Sequence, residues 1–273
     1  MNRLPIEKRA QIIGLLVEGM SMRAVSRVVG CSINTVTKLL EIGFACNMYQ
    51  SERLRNLNCK RVQCDEIWGF CYSKEKNVAP ADKGVLGHGD VWTWTAIDAD
   101  SKLIVSYLVG GRDASYANVF ITDVASRLAT RVQMTTDGHG PYLYAVEGAF
   151  GADIDYAMLV KHYGADPEKG VRRYSPAELI STEQRPINGS PVAKHISTSF
   201  VERQNLTMRM GMRRFTRLTN GFSKKVENLE HAVSLHFMHY NFARIHKTLR
   251  VTPAMEAGIA DHVWTLEEIS SLG

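Results

Sequence analysis

Arg61-Val62-Gln63-Cys64-Asp65-Glu66-Ile67-Trp68-Gly69-Phe70-Cys71-Tyr72 alternates in polarity and is rich in β-forming side chains, so it reads as a strand with an acidic pair at its middle. Alternation aims Asp65 at the sheet's open edge and Glu66 the other way, with Trp68 in the core. Downstream, Val91-Trp92-Thr93-Trp94-Thr95-Ala96-Ile97 and residues 103–109 read as two more strands, joined by the turn Asp98-Ala99-Asp100-Ser101 into a hairpin. Residues 115–129 carry helical periodicity through Val119, Phe120, Val124 and Leu128. Residues 131–136 form a buried strand ending at Asp137-Gly138. Tyr142 to Phe150 is a helix, and Asp155 to Lys161 a further strand. The order β-β-β-α-β-α-β predicts an α/β fold, a ribonuclease-H-like mixed sheet flanked by helices.

Two more acids stand where such a sheet places chemistry. Asp137 closes a strand at its C-terminal end, the edge at which open α/β sheets hold ligands. Glu202 lies in a helix from about Thr198 to Met212, with Arg209 two turns further on the same face. Singly, each acid has an ordinary explanation: a solvated strand, a turn, a helical salt bridge. Together they are the pattern of carboxylates converging on divalent metal, whose chemistry on nucleic acids is phosphoryl transfer. Crowded carboxylates repel by about 4 kcal/mol per close pair at an effective dielectric of about 20. Mg²⁺ or Mn²⁺, hard cations that take oxygen ligands, offset this, and two such ions about 3.5–4 Å apart would clamp a scissile phosphate. Asp65, Asp137 and Glu202 are therefore the expected catalytic and metal-binding residues. Glu66 reads as a structural acid. His139 reads as packed or exposed, with water steering or phosphate contact as the alternative. His88 has no metal-ligand partner at useful spacing.

The N-terminus predicts a small all-α module. Pro5 to Glu18 is a first helix, ended by Gly19. Ser21 caps a second over about 22–29, Gly30-Cys31-Ser32 is a tight turn, and Ser32 caps a third over about 33–44. This is helix-turn-helix spacing: small Ser26 lets the helices cross, Gly30 takes the turn, and Val36 with Leu39 or Leu40 packs inward. Ile33, Asn34, Thr35, Thr37 and Lys38 then face the major groove or phosphates of double-stranded DNA. No acid stands between Val25 and Leu40. An ordinary three-helix bundle is the alternative. Residues 47–60 read as a polar, basic linker.

Net charge is only +5, from 33 Lys+Arg against 28 Asp+Glu. Its distribution says more. Between Arg203 and Lys225 stand Arg203, Arg209, Arg213, Arg214, Arg217, Lys224 and Lys225 without one acid, a candidate phosphate-binding segment. Phe215 and Phe222 interleave, as anchors or as contacts for an unpaired base. Residues 223–247 read as a long amphipathic helix through Val226, Leu229, Val233, Phe237 and Tyr240. Pro253 opens a short helix, and Thr265 with Glu268 forms a capping box for a last one. The five cysteines make no C-x-x-C pair and read as reduced thiols of a cytoplasmic protein. No apolar run suits a membrane span or a signal core, so no membrane partner is expected.

At these residues the chain resembles the DDE transposases of bacterial insertion sequences, most closely the IS1 family. The matching pieces are CDEIWGF at Asp65, TTDGHGPY at Asp137, SFVERQNLTMRMGMRRFTR at Glu202 and HYNFARIHKTLRVTPAM at 239–255. The resemblance implies a ribonuclease-H fold, Mg²⁺ or Mn²⁺ dependence, and action on the terminal inverted repeats of an element. It points to Asp65, Asp137 and Glu202 as the metal triad and to Arg209 as the basic residue that follows the glutamate. Tyr240, Asn241, Arg244 and His246 match its Y-N-x-x-R-x-H pattern, and Arg244 and His246 read as structural or DNA-backbone residues. Many members carry a zinc finger ahead of the helix-turn-helix, whereas this sequence opens almost directly on the latter. The 65 positions from Asp137 to Glu202 exceed those of compact members, so Asp166 to Pro191 reads as an inserted loop, and Asp153 or Asp155 competes for the third role.

The expected organisation is a helix-turn-helix module (1–48), a linker (49–60), a catalytic domain (61–250, insertion about 163–194) and a helical tail (251–273). The expected activity is metal-dependent cleavage of DNA followed by 3′-OH strand transfer into target DNA, by a homo-oligomer on the nucleoid. A DNA-binding regulator that has lost catalysis, and a nuclease of the same fold that does not join strands, are the competing readings.

Overall fold

The computed structural model describes residues 4–164, 178–216 and 219–273. The N-terminal helices are α1 (Ile6–Val17), α2 (Met22–Val29) and α3 (Ile33–Leu40). Ser21 and Ser32 cap α2 and α3 by accepting from the N–H groups of Ala24 and Thr35. Gly30 takes the left-handed conformation of the turn (φ 67°), and the Ser26 hydroxyl donates to the Cys31 carbonyl. Ile12, Val25, Val29 and Val36 make a small core of their own.

The expected linker is corrected: after a break at Glu41 the chain forms α4 (Ile42–Arg53). Its buried face is Ile42, Gly43, Cys46 and Gln50. A stripe containing a glycine and a glutamine has too weak an apolar period to read as a packed helix.

The sheet follows as β1 (Arg61–Cys71), β2 (Gly89–Asp98) and β3 (Ile104–Gly110), then α5 (Ala114–Arg127), β4 (Gln133–Thr136), α6 (Pro141–Phe150), β5 (Asp155–Tyr163) and β6 (Leu179–Asn188). Strand order is β3-β2-β1-β4-β5-β6. The first three strands are an antiparallel meander; β4 and β5 run parallel to β1, and β6 is antiparallel to β5. A meander whose first strand is central, extended by two parallel strands reached through helices, is the ribonuclease-H-like sheet.

β6 corrects the expected insertion, of which residues 165–177 lie outside the described residues. The strand is exposed at almost every position and contains Pro186. Solvated edge strands tolerate proline and charge, so the sequence lacks the alternation that marks a half-buried strand.

Four helices complete the fold: α7 (Ser199–Gly211), α8 (Val226–Met238), α9 (Pro253–Glu256) and α10 (Leu266–Ser271). The helix expected over 223–247 is shorter than read. α8 gives way to a π-helical turn at His239–Ala243, and the chain leaves at Arg244. The turn seats Asn241, which is fully buried: its Oδ1 accepts from the N–H of Ile104 and its Nδ2 donates to the Ile104 carbonyl. It satisfies backbone groups at the start of β3 that no strand reaches. Thr265 and Glu268 form the expected capping box. Arg9 of α1 donates to the carbonyls of Ser270 and Gly273, tying the first helix to the last. All five cysteines are free thiols, and among the described residues no single helix is long and apolar enough to cross a membrane.

Candidate active site

Register brings the first two acids together. Cys64 of β1 is level with Thr136 of β4, which is level with Met158 of β5. One residue further out on parallel strands, Asp65 and Asp137 become neighbours. β4 ends there, so the rest of β1 has no strand on that side. The Asp137 carboxylate is steadied by its own turn, accepting the His139 N–H at 2.9 Å.

The third acid arrives on α7, and β1 positions that helix. Thr198 provides no side-chain cap. Instead the buried Oε1 of Gln63 accepts the N–H groups of Phe200 (2.8 Å) and Val201 (3.2 Å), two of the donors every helix start leaves open. One turn on from Glu202, Asn205 donates its Nδ2 to Asp65 Oδ2 at 2.8 Å. Gln63→Ala is therefore expected to lower stability by about 1 kcal/mol, the worth of a helix cap, and to lower cleavage more than that loss of fold explains. Thermal denaturation read beside a DNA-cleavage assay checks both.

Asp65, Asp137 and Glu202 line one cleft of about 550 Å³, with Arg112, His139 and Lys161 around them. Asp65 and Asp137 also group with Glu66, which is buried and does not line the cleft; one ligand oxygen from each lies within 4.8 Å of the others. This corrects the reading of Glu66 as an acid facing elsewhere. Alternation decides where a Cβ points, not where a carboxylate two methylenes further on comes to lie beside a strand that has already ended. Glu66 Oε2 accepts from Arg112 Nε at 3.1 Å, and the second guanidinium nitrogen is 3.7 Å from Asp137 Oδ2. Glu202 faces the group from α7, held by the Thr198 hydroxyl and the Lys161 ammonium.

Burial, then the charge of Asp137, pushes the carboxyls of both Asp65 and Glu66 up to about 7, against the pull of Arg112 on Glu66. Burial and the Arg112 charge hold the His139 imidazole below its usual range, hence neutral at pH 7. Its ring packs near Trp94 and Tyr142.

The donor set fits a hard divalent cation. It is all carboxylate oxygen and too crowded to ionise readily, and among the described residues the buried Glu66 has only the Tyr142 hydroxyl and Arg112 beside it to answer its charge. Asp153 and Asp155 do not compete. Both bind Arg131 where β5 begins, Asp155 being level with Gln133, four residues or about 13 Å along the sheet from Asp137.

Of the expected DNA contacts, Asn34 and Lys38 are exposed on α3 and Thr35 and Thr37 half-buried, with the Thr37 hydroxyl returned to the Ile33 carbonyl. Arg203, Arg213, Lys224, Lys225 and Arg244 are exposed; His246 is half-buried beside Thr248. Arg217 lies outside the described residues. Arg209 is half-buried and lines a second cavity rather than the acidic cleft. Arg214 is corrected: it is drawn inward, donating to Ser223 and reaching the Met22 sulfur, and burial lowers its guanidinium pKa to about 10. The cations that do enter the cleft, Arg112 and Lys161, went unread because each sits singly in a segment with no basic cluster. Asn205 carried a usable signal, since it stands three residues from Glu202 on one helical face.

Fold and site together define a ribonuclease-H-like protein with an acidic cleft and an N-terminal helical module. No protein-family model matches the chain, and no curated protein matches it. Among solved structures it is similar to the Mos1 strand transfer complex, at 12% identity and a TM-score of 0.26, over 57% of this chain and 59% of that one. It is also similar to the Mos1 mariner paired end complex with Mn, at 11% identity and a TM-score of 0.29, over 87% and 77%. The chain thus spans about 59% of the length of the first of these. Strand order and register, not these likenesses, define the fold.

Proposed function

We propose that this protein is an insertion-sequence DNA transposase of the DDE type, akin to the IS1 family. It would bind the terminal inverted repeats, cut DNA with the help of a divalent cation, and join the freed 3′-OH to target DNA. The observation that carries this reading is the convergence of Asp65, Glu66 and Asp137 within 4.8 Å, faced by Glu202 across one cleft, on the rim of a ribonuclease-H-like sheet. Asp65, Asp137 and Glu202 would hold Mg²⁺ or Mn²⁺, with Glu66 as a fourth carboxylate in reach. When bound, such ions supply charge stabilisation for in-line attack at phosphorus and a more acidic nucleophile. Arg112 and Lys161 offset part of the cleft's negative charge and stand where a DNA phosphate would meet them. Asn205 and Gln63 keep Glu202 in register with the strand acids.

The outward polar face of α3 would supply sequence recognition and the exposed lysines at 224 and 225 backbone grip. Binding through phosphates makes affinity salt-dependent. Replacing Lys224 and Lys225 together by alanine is expected to make the slope of log K against log salt shallower by about 2. An unchanged slope would remove these residues from the interface.

The deciding experiment incubates the protein with labelled DNA carrying the element's ends, with and without Mg²⁺, and then supplies pre-cleaved ends with target DNA. Cleavage and joining together support a transposase. Cleavage without joining makes it a nuclease, and binding without cleavage a regulator. Acting on two ends calls for at least two protomers on the DNA.

A further inference from the structure

A second cavity, of about 630 Å³, is lined by other residues of β1 and α7, the two elements that carry Asp65 and Glu202 into the acidic cleft. It forms because β1 runs on past the end of β4. The segment after α7 comes to lie along the exposed edge, with the Tyr72 N–H donating to the Ser223 carbonyl. Phe215 is buried against Gly69, leaving Trp68, Phe70 and Phe222 half-buried around the opening. The Phe70 and Phe222 rings are 4.7 Å apart, and those of Trp68 and Phe70 5.8 Å. Trp68, expected in the core, thus lines a cavity instead. Lys74 stands 5.9 Å over the Phe70 ring and Lys224 4.5 Å over Phe222. Among the described residues no acid lines the cavity.

Aromatic faces under a cationic rim take a flat, uncharged ring carried on an anionic backbone. That describes a nucleobase with its phosphates. In a duplex the base faces are stacked and hidden, so only an unpaired base can enter. Position selects among nucleic acids. Trp68 is three residues beyond Asp65 on β1, about 10 Å. Arg209, which also lines the cavity, is seven residues beyond Glu202 on α7, again about 10 Å. The two elements that carry acids into the cleft therefore carry this cavity at one common offset, about three nucleotides along a strand. We propose that the cavity holds an unpaired base of the DNA strand whose phosphate lies at the acids, so that the substrate is a locally opened or tailed DNA end rather than an intact duplex. This deepens the transposase reading and rests on it for the identity of the DNA.

The test measures binding by fluorescence anisotropy in EDTA, where no cleavage can occur. The probes are one short duplex bearing a blunt end, a short thymine tail, or an abasic tail of the same length. Wild type is expected to favour the thymine tail over the blunt and abasic forms by about tenfold, a stacking gain. Phe222→Leu and Phe70→Leu keep apolar volume but remove the ring, and should erase that preference while binding the blunt duplex as wild type does. Blunt binding also verifies folding; should one variant lose it, the other decides. Equal affinity for abasic and thymine tails, or a preference that survives loss of the rings, overturns the proposal. Because the readout needs no metal, its failure is separate from failure of metal-dependent cleavage.

Discussion

Asp137→Asn, Asp65→Asn and Glu202→Gln are each expected to lower Mg²⁺-dependent DNA cleavage by roughly 10³-fold or more, while the first two leave the metal-free protein more stable than wild type. The rate loss follows from removing an anionic ligand from the cleft, where a bound cation supplies several kcal/mol of transition-state stabilisation. The gain in stability follows from electrostatics. Asp65 and Glu66 hold their protons up to about pH 7 because burial and the charge of Asp137 penalise ionisation. In the unfolded chain the same groups ionise near pH 4. Between these limits the folded state binds more protons, so the stability these groups contribute is complete below about pH 4 and is lost as pH rises to about 7. Thermal unfolding in EDTA should therefore occur at lower temperature at pH 8 than at pH 5.5. Mg²⁺ should restore the loss at pH 8, and the asparagine variants should flatten the dependence, by on the order of 1–3 kcal/mol. Cleavage at a near wild-type rate by any of the three variants would remove that residue from the metal site. A metal-free protein that gains stability from pH 5.5 to 8 would contradict the crowded-carboxylate account.

Gly43→Ala is expected to be the most damaging single change away from the cleft. A Cβ at this position would lie 2.1 Å from the His231 carbonyl oxygen and 2.4 Å from its Cα. Both are backbone atoms in the middle of α8, so no side chain can rotate out of the way. The two helices must separate, and with them the contacts of Cys46 and Gln50, whose Nε2 donates to the Ser234 carbonyl of α8. Overpacking of this kind costs on the order of 3 kcal/mol or more, despite the better helix propensity of alanine. For a chain of this size that is a fall in Tm of roughly 5–10 °C. Denaturant unfolding of the variant beside wild type measures it, and equal midpoints would show that α4 and α8 do not cross so closely.

Much of this molecule was legible in local pattern. Ser21, Gly30 and Ser32 announce α2, the turn after it and α3, because caps and left-handed turns depend on residues a few positions apart. Asp65 in a strand, Asp137 at a strand end and Glu202 in a helix could be read in the same way, since period and turn chemistry are local. What local pattern could not carry was burial supplied from a distance. α4 packs through Gly43 and Gln50, whose fitness for a core exists only opposite the backbone of α8. β6 is a strand because β5 offers it an edge, not because its own residues alternate. Glu66 joins the acidic group because β4 ends two residues short of it. Apart from α4 and β6, sequence by itself thus determined the main elements and which of them bear the acids, as short-range conformational preference suffices for both. Only the tertiary structure decided which side chains meet. The register between parallel strands joins residues tens of positions apart, and the placing of α7 by Gln63 and Asn205 depends on hydrogen bonds across more than a hundred positions; no periodicity records either.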